Sequence, residues 1–439
     1  MPLPSQSRLS NVRQVAIPVL ENVPGRVLSH RSPALRLEEH IGVDERARDG
    51  DWAARECKGG ELEVSRYDMV VKVSEKVICL AFVNGGKKPS ESMSPVNLLL
   101  DLGTNLTWLN CRNIKSLSSL RLVTCESSTC KSISGNGCDG KICLYREPSP
   151  FLLTNHTVTK TDRVVQDKAT IFSTESGIPP SLVSFRPFTF SCAVQQNLHG
   201  IAPPISGVIG LSSGELPFWR QVTSAFNVIP KFALCLPSSR VGTLYMGATS
   251  SYDTPVFGGK NPVPMTLTPL KIDSGKYLVS VTSIYVDGVS LTLDPSLLEG
   301  GAQLSTVVPY TVLQTDIYNA LAQSFTLKAT KIGMTETTGH APFKHCFASG
   351  KNIDGSVMEI GLPGNGKEVK WRFQGANMVE RVSETVICLA FVDGGKIPNK
   401  SMVIGTHQLQ EYLIEFDFST MRVAFSDPLV LHNTRCSMQ

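Results

Sequence analysis

The sequence predicts an all-β protein built as two β lobes with few short helices. The chain has 439 residues, too many for one hydrophobic core, so two domains are the simplest division. Its 35 Gly and 27 Pro punctuate short β-branched or aromatic runs, which is typical of a loop-rich β protein. The same alternation of short runs and turns recurs in the second half of the chain.

The predicted strands of the first half come in a clear order. VNLLLDLGTNLTWLNC (96–111) predicts a strand, a Gly turn and a second strand. Further short apolar runs separated by Gly, Ser and Pro follow in RPFTFSC (186–192), SGVIGL (206–211), KFALCL (231–236) and GTLYMG (242–247). These runs are too short and too often interrupted for helices.

The second half predicts two hairpins and one helix. KYLVSVTSIYVDGVSLTL (276–293) has Asp287-Gly288 at its turn, and YLIEFDFSTMRVAFS (412–426) alternates apolar and polar residues as a closing hairpin does. Between them, TDIYNALAQSF (315–325) places Ile317, Leu321 and Phe325 on one helical face. Thr315 or Asp316 is the expected N-cap of this helix.

The predicted domains are a disordered N-terminal segment over residues 1–66 and two β lobes over residues 67–262 and 263–439. Residues 1–66 are charged and weakly periodic. A secretory signal needs an apolar core of about 7–15 residues, and the best early run, VAIPVL (15–20), is shorter and contains a Pro. We therefore expect that the native start of the chain is missing or replaced.

Charge and cysteine spacing exclude some classes of function. The formal net charge is +4 without a dense Lys/Arg run, so nucleic acid is not an expected partner. No pair of CxxC motifs is present, no membrane-spanning segment is visible, and neither a metal nor a cofactor is expected.

Five cysteines lie close together in a Ser/Gly/Asn-rich stretch: Cys111, Cys125, Cys130, Cys138 and Cys143. Because this stretch lacks the apolar residues to fold by burial alone, the spacing predicts disulfides and an oxidising compartment. N-glycosylation sequons begin at Asn105, Asn155 and Asn399, which is compatible with a secreted, extracellular or cell-wall glycoprotein.

The sharpest pattern is a strand that ends in Asp101-Leu102-Gly103-Thr104, followed two hundred residues later by a similar strand that ends in Ser305-Thr306-Val307. With FTFSCA, SGVIGL, KFALCL, VPYTVLQTDIYNAL, VICLAFVDGG and VIGTHQL in the same order, the chain resembles a plant subset of the pepsin-like aspartic-protease fold. That subset contains the extracellular dermal glycoprotein, the basic 7S globulins and the xylanase and xyloglucanase inhibitor proteins. The resemblance covers residues 95–436 and implies a bilobal fold.

The resemblance also locates the two loops in which a working protease would hold its catalytic carboxylates. Aspartic proteolysis needs two carboxylates that share one proton across a water molecule. Asp101 supplies one, and Ser305 stands where the other would be. A hydroxyl cannot act as that base. Leu102 replaces a bracing hydroxyl residue and Val307 replaces a Gly, so we expect a protein without peptidase activity.

The same resemblance implies an inhibitor of microbial glycoside hydrolases, whose clefts hold two carboxylates. It places a cationic inhibitory loop at residues 396–401, with Lys396, Asn399 and Lys400 as candidates. The segment LKATKIGMTETTGH (327–340), with Lys328 and Lys331, is a second candidate. Two alternatives share the fold: an active aspartic endopeptidase, and a storage or binding glycoprotein like the basic 7S globulins.

The resemblance further implies disulfide partners. Cys346 and Cys388 match the pair that staples the second lobe, and one of Cys192 and Cys235 is expected to bond to Cys436. With the five clustered cysteines, these complete an even set of ten from Cys111 to Cys436.

A repeated segment marks the beginning of the first lobe. Residues 68–93 match residues 377–402 at 18 of 26 positions, which is too close for a relic of an ancient lobe duplication. We interpret the first copy as a recent local duplication or a misjoined exon. Its apolar run Val77–Val83 is expected to fill the first strand of the lobe, with Gly85-Gly86 in the turn, and not to form a second inhibitory loop.

Overall fold

The structure is a computed structural model of the chain. It describes residues 15–20, 77–83, 93–111, 120–133, 136–146, 161–175, 178–193, 205–238, 241–247, 263–348 and 356–436. The predicted disordered segment 1–66 lies outside these ranges except for Val15–Leu20, which forms a strand.

Short strands dominate the described part of the first lobe. They are β1 (Val15–Leu20), β2 (Val77–Val83), β3 (Met93–Asp101), β4 (Trp108–Asn110), β5 (Arg121–Leu122), β6 (Asn136–Asp139), β7 (Ile142–Arg146), β8 (Thr161–Glu175), β9 (Ile178–Ala193), β10 (Ile205–Gly210), β11 (Lys231–Cys235) and β12 (Val241–Met246).

The second lobe follows the same plan. Its strands are β13 (Met265–Asp273), β14 (Lys276–Val279), β15 (Ser283–Val286), β16 (Val289–Ser290), β17 (Ala302–Leu304), β18 (Thr311–Leu313), β19 (Thr335–Thr337), β20 (Cys346–Ala348), β21 (Met358–Pro363), β22 (Glu368–Phe373), β23 (Val379–Arg381), β24 (Val386–Leu389), β25 (Phe391–Asp393), β26 (Met402–Ile404), β27 (Leu413–Asp417) and β28 (Arg422–Ser426).

Helices are few and mostly short, as the sequence predicts. The α-helices of the described ranges are α1 (Ser128–Ser132), α2 (Phe218–Phe226), α3 (Thr315–Lys331) and α4 (Thr406–Leu409), and short 3-10 helices cover Pro295–Leu298, Gly375–Asn377 and Leu429–His432. Within the described residues, none of the helices has the length and apolar character needed to cross a membrane.

One long sheet joins the two lobes. Its strand order over the described residues is β1-β12-β11-β27-β28-β13-β14-β17-β26-β18-β25. Strand β11 of the first lobe pairs antiparallel with β27 near the C-terminus, and β28 pairs with β13. A second sheet, β2-β3-β10-β4-β9-β8-β7-β6, belongs to the first lobe, and two four-stranded sheets complete the second lobe.

Aromatic side chains fill the space where the lobes meet. Trp219 of α2 stacks on Phe418 with ring centroids 4.0 Å apart, and Phe232 stacks on Phe416 at 4.7 Å. The buried Tyr277 hydroxyl donates to the Leu211 carbonyl oxygen at 2.6 Å. Aromatic burial on this scale stabilises the relative placement of the lobes as well as each core.

The predicted hairpins are confirmed. Asp287 and Gly288 have φ values of 50° and 80° between β15 and β16, as a tight two-residue turn requires. Strands β27 and β28 form the closing hairpin. The predicted helix is also present, with Ile317, Leu321 and Phe325 buried.

Two details of this helix differ from the prediction. It continues to Lys331, beyond the apolar stripe. Its N-cap is Gln314, whose side-chain oxygen accepts from the backbone N–H groups of Asp316 and Ile317. Gln314 is also held by bonds to residues 396 and 401, and this tertiary contact outweighs the usual preference for a short capping residue.

The two copies of the repeat pair differently. In the first copy, Val77–Val83 forms β2, the predicted strand, and pairs antiparallel with β3. In the second copy the same residues divide into β24, which pairs with β20, and β25, which pairs with β18. The predicted turn at Gly85-Gly86 lies outside the described residues.

Candidate functional site

The first loop of the candidate site follows β3. Asp101, at the end of this strand, is 3% exposed. Its Oδ1 accepts from the Gly103 N–H at 2.7 Å, and its Oδ2 accepts from the Thr104 hydroxyl at 2.6 Å. Both carboxylate oxygens are therefore bonded within their own turn.

The second loop carries a hydroxyl at the position that matches Asp101. Ser305 follows β17 and is 4% exposed. Its Oγ accepts from the N–H groups of Val307 (3.3 Å) and Val308 (3.2 Å), two and three residues on. This Ser makes the local bonds of a turn and has no carboxylate to share a proton with Asp101.

Each loop is closed by a glycine at the end of the neighbouring parallel strand: Gly210 is the last residue of β10, and Gly405 directly follows β26. A Cβ on Gly210 would lie 2.6 Å from the Thr104 carbonyl oxygen, and a Cβ on Gly405 would lie 2.8 Å from the Val308 carbonyl oxygen. The close approach excludes any side chain at both positions. The two loops are thus built in the same way, although their sequences differ.

Thr306 joins the two loops, and sequence reasoning did not assign it this role. Its hydroxyl donates to the Leu100 carbonyl oxygen at 2.8 Å and accepts from the Leu102 N–H at 3.1 Å. Thr306, Leu100 and Leu102 are all buried. Leu102 has no hydroxyl to return the contact, so the brace has one side only. The match of Thr306 to the loop motif was the available signal.

Val307 stands where the first loop has Gly103. A Cβ on Gly103 would lie 3.3 Å from Asp101 Oδ1. The Val307 side chain instead packs against a first-lobe cluster that includes Trp108 and Val208. Trp108 itself is buried, as core packing predicts. Val307 therefore makes an apolar contact between the lobes, whereas Gly103, at the matching position of the first loop, lies beside the Asp101 carboxylate.

The environment of Asp101 favours its neutral form. Burial raises the pKa of Asp101 above its usual value, and the bonds from Thr104 and Gly103 and the charge of Lys276 offset this only in part. Because position 305 holds a hydroxyl, the raised pKa of Asp101 is caused by burial and not by a neighbouring carboxylate.

This shift predicts a pH-dependent gain from Asp101→Asn. Above pH 3.8, the usual pKa of Asp, the carboxyl ionises in the unfolded chain but stays protonated in the folded chain. The folded state therefore loses stability as the pH rises from 3.8 towards the raised pKa of Asp101 in the folded protein. Asn cannot ionise, and we expect it to stabilise the fold near neutral pH. The gain should disappear below pH 3.8. Thermal unfolding of both proteins across pH checks this, and a gain that grows on acidification would contradict it.

The base of the candidate loop at 396–401 is firmly held. At one end, the Gly394 N–H donates to the Leu313 carbonyl oxygen and the Thr315 N–H donates to the Gly395 carbonyl oxygen. At the other end, the Gln314 N–H donates to the Ser401 carbonyl oxygen at 2.8 Å. Asp393 accepts from Thr315 and Lys344, and the bond from Lys344 lowers the pKa of Asp393 to about 2. The loop thus leaves the lobe from two anchored ends.

Lys400 points back to the protein instead of outward. Its Nζ lies 2.6 Å from Oδ2 of Asp273, the last residue of β13 before the turn into β14, and this bond lowers the pKa of Asp273. The same turn contacts the first lobe, since the Gly275 carbonyl oxygen accepts from the Ser213 N–H. The candidate loop therefore lies beside the boundary between lobes, with one of its two charges neutralised.

The tip of the loop is apolar and exposed. Ile397 is 97% exposed, more than any other large apolar side chain in the described ranges. Lys396 and Asn399 are exposed beside it. Lys396 makes no ion pair with a described residue. Sequence reasoning looked for cations and passed over Ile397.

The second candidate, residues 327–340, is not one continuous loop, because its first residues belong to α3. Lys328 and Lys331 lie in the last turn of α3, where cations favour the helix end. Lys328 Nζ is 2.7 Å from Asp287 Oδ1. The positions of both lysines are therefore explained by the helix end. Residues 338–345, by contrast, lie outside any helix or strand.

All ten cysteines from Cys111 to Cys436 form disulfides. The pairs are Cys111–Cys192, Cys125–Cys138, Cys130–Cys143, Cys235–Cys436 and Cys346–Cys388. Cys235, rather than Cys192, is the partner of Cys436. The long link ties β11 to the end of the chain, next to the sheet that joins the lobes.

The three sequons have different surroundings. Asn105 is half-buried, with Oδ1 buried against Gly214. Asn155 lies outside the described residues. Asn399 is exposed at the loop tip. Asn399 is thus the most accessible acceptor among the described positions.

Two family models match the chain. One, described as xylanase inhibitor N-terminal, matches residues 88–248. The other, described as xylanase inhibitor C-terminal, matches residues 276–427. Together they span both loops of the candidate site and the segment 396–401.

Curated relatives and solved structures agree with these matches. The chain is 31% identical over 379 residues to "Probable aspartic proteinase GIP2" of Nicotiana benthamiana, covering 78% of this chain and 85% of the relative. It is 32% identical over 359 residues to "Gamma conglutin 1" of Prunus dulcis, covering 77% and 82%. The solved structure "Crystal structure of edgp" superposes with a TM-score of 0.71 at 28% identity, covering 83% of this chain and 94% of that one.

Proposed function

Because the chain belongs to the xylanase inhibitor family of plant aspartic-protease-like proteins, we propose that it is a protein without peptidase activity that blocks microbial glycoside hydrolases. The five disulfides imply folding in an oxidising compartment, which supports passage through the secretory pathway. The extracellular space or cell wall is the proposed destination.

The lack of peptidase activity rests on one observation, the hydroxyl of Ser305. Attack on a peptide needs a base to take a proton from water and an acid to protonate the amide. Asp101 is already bonded to Gly103 and Thr104, and Ser305 is bonded to its own turn. Neither group has a partner of suitable pKa. The name of the relative "Probable aspartic proteinase GIP2" describes that protein, and peptidase activity remains the alternative to test.

The proposed contact with a hydrolase is made by residues 396–401. A protruding loop with an anchored base loses little conformational freedom on binding. Ile397 offers an apolar tip for the cleft, and Lys396 offers a cation to its paired carboxylates. Lys400 serves instead to hold the loop through Asp273. The first copy of the repeat carries Lys88, Ser90 and Glu91 where this loop carries Ile397, Asn399 and Lys400, which supports assigning binding to the second copy.

Titration of purified hydrolases tests this proposal. The chain, produced without N-linked glycans, is added in increasing amounts to a fungal xylanase and to a xyloglucan-specific endoglucanase, and the release of reducing sugar is measured. We expect one of the two enzymes to lose activity in proportion to added protein, up to a stoichiometric endpoint. Undiminished activity of both enzymes at excess chain would overturn the assignment of these targets.

A storage or binding glycoprotein without an enzyme target is the second candidate. The similarity to "Gamma conglutin 1" and the exposed sequon at Asn399 favour it. It shares the fold and the inactive loops with the first candidate and differs only in what residues 396–401 do. The titration above therefore separates the two.

A further inference from the structure

We propose that an N-linked glycan on Asn399 covers the tip of the loop and switches its binding off. This inference rests on the proposed function, because it concerns the regulation of the same loop. It starts from the sequon Asn399-Lys400-Ser401, which lies inside the loop and is absent from the first copy of the repeat, where Ser90-Glu91-Ser92 stands.

The acceptor geometry favours Asn399. Its side chain is exposed, whereas Asn105 is half-buried against Gly214. An N-linked glycan is bulky and hydrated, so the folded chain can accommodate it only where the Asn Nδ2 faces solvent. The Nδ2–C1 bond forms as the bond between C1 and a lipid pyrophosphate breaks. The lipid pyrophosphate leaves and the amide loses one proton, so the donor is a lipid-linked oligosaccharide.

The position of Asn399 makes a glycan incompatible with insertion of the loop. Two residues of extended chain span at most about 7 Å, so the first sugar would stand beside Ile397. The loop also has fixed ends. Lys400 is tied to Asp273 on one side, and Gln314 holds the carbonyl oxygens of Lys396 and Ser401. The tip therefore cannot turn away from a bulky, hydrated group, and the glycan would occupy the volume that a cleft must fill.

Three full-length proteins secreted from a eukaryotic cell test the inference. Wild type and Ser401→Thr keep the sequon, whereas Ser401→Ala removes it and leaves Asn399 and Ile397 in place. The readouts are the mass of the peptide that contains Asn399, the rate of tryptic cleavage after Lys396 in the folded protein, and hydrolase inhibition.

We expect a glycan on Asn399 in wild type and Ser401→Thr, with loss of cleavage after Lys396 and loss of inhibition relative to Ser401→Ala. An unmodified Asn399 in the secreted wild type would overturn the inference. Equal cleavage of the glycan-bearing and glycan-free proteins would also overturn it. Slower cleavage of the glycan-bearing protein, with no inhibition by any form, would keep the covering glycan and overturn the proposed function instead.

Discussion

Replacing Ile397 with Asp is expected to weaken hydrolase inhibition by roughly a hundredfold, the effect of losing a central anchor residue at an interface. Ile397 is almost wholly exposed in the free protein, so the substitution removes no packing from the folded state. In the complex it places a carboxylate before a cleft that already holds two. Apolar contact is lost and like charges meet, and both changes act in the same direction. Inhibition titrations of glycan-free protein give the measurement.

Val289→Asp is the matched control for this variant. Val289 is 70% exposed, but it lies in the β15–β16 hairpin, on a different sheet. The control should inhibit as wild type does. If Ile397→Asp inhibited equally well, the loop would not be the contact. Lys400→Glu tests the anchoring of the loop. Lys400 pairs with Asp273, so a Glu at this position should release the loop and weaken inhibition.

Thr306→Val is expected to lower the free energy of unfolding by about 2–6 kcal/mol. Val matches Thr in shape, so the change removes only the hydroxyl. The Leu102 N–H and the Leu100 carbonyl oxygen then lose their partner in a site from which water is excluded. Each unsatisfied buried group costs about 1–3 kcal/mol. Leu102 cannot compensate, because the brace has no second hydroxyl.

Denaturant unfolding of Thr306→Val checks this estimate, with Thr335→Val as the control. Thr335 is exposed in β19, where Val is also a good strand residue, so the control should change stability little. A Thr306→Val protein as stable as the control would mean that the loops do not depend on this hydroxyl.

Much of the fold could be predicted because its signals are local. The Asp287-Gly288 turn, the closing hairpin and the apolar face of α3 each depend on residues close in sequence. The paired loops were predicted from ordered motifs, and the strand Val77–Val83 from its apolar run.

The missed features depend on contacts between distant residues. Lys400 and Asp273 are 127 residues apart, and Thr306 and Leu100 are 206 apart. No local pattern reports such pairs, so Lys400 was predicted as a free cation and the brace by Thr306 was not recognised. The choice between Cys192 and Cys235 was open for the same reason. Gln314 caps α3 because the loop at 396–401 packs beside it.

We propose that Ser305 leaves Asp101 without a catalytic partner. A peptidase assay at roughly pH 3–5, the range in which paired carboxylates work, tests it most directly. Wild type and Asp101→Asn are incubated with an unfolded protein substrate, and new N-termini are counted. The structure predicts no cleavage by wild type above the Asp101→Asn background. Cleavage by wild type that disappears in Asp101→Asn would contradict it.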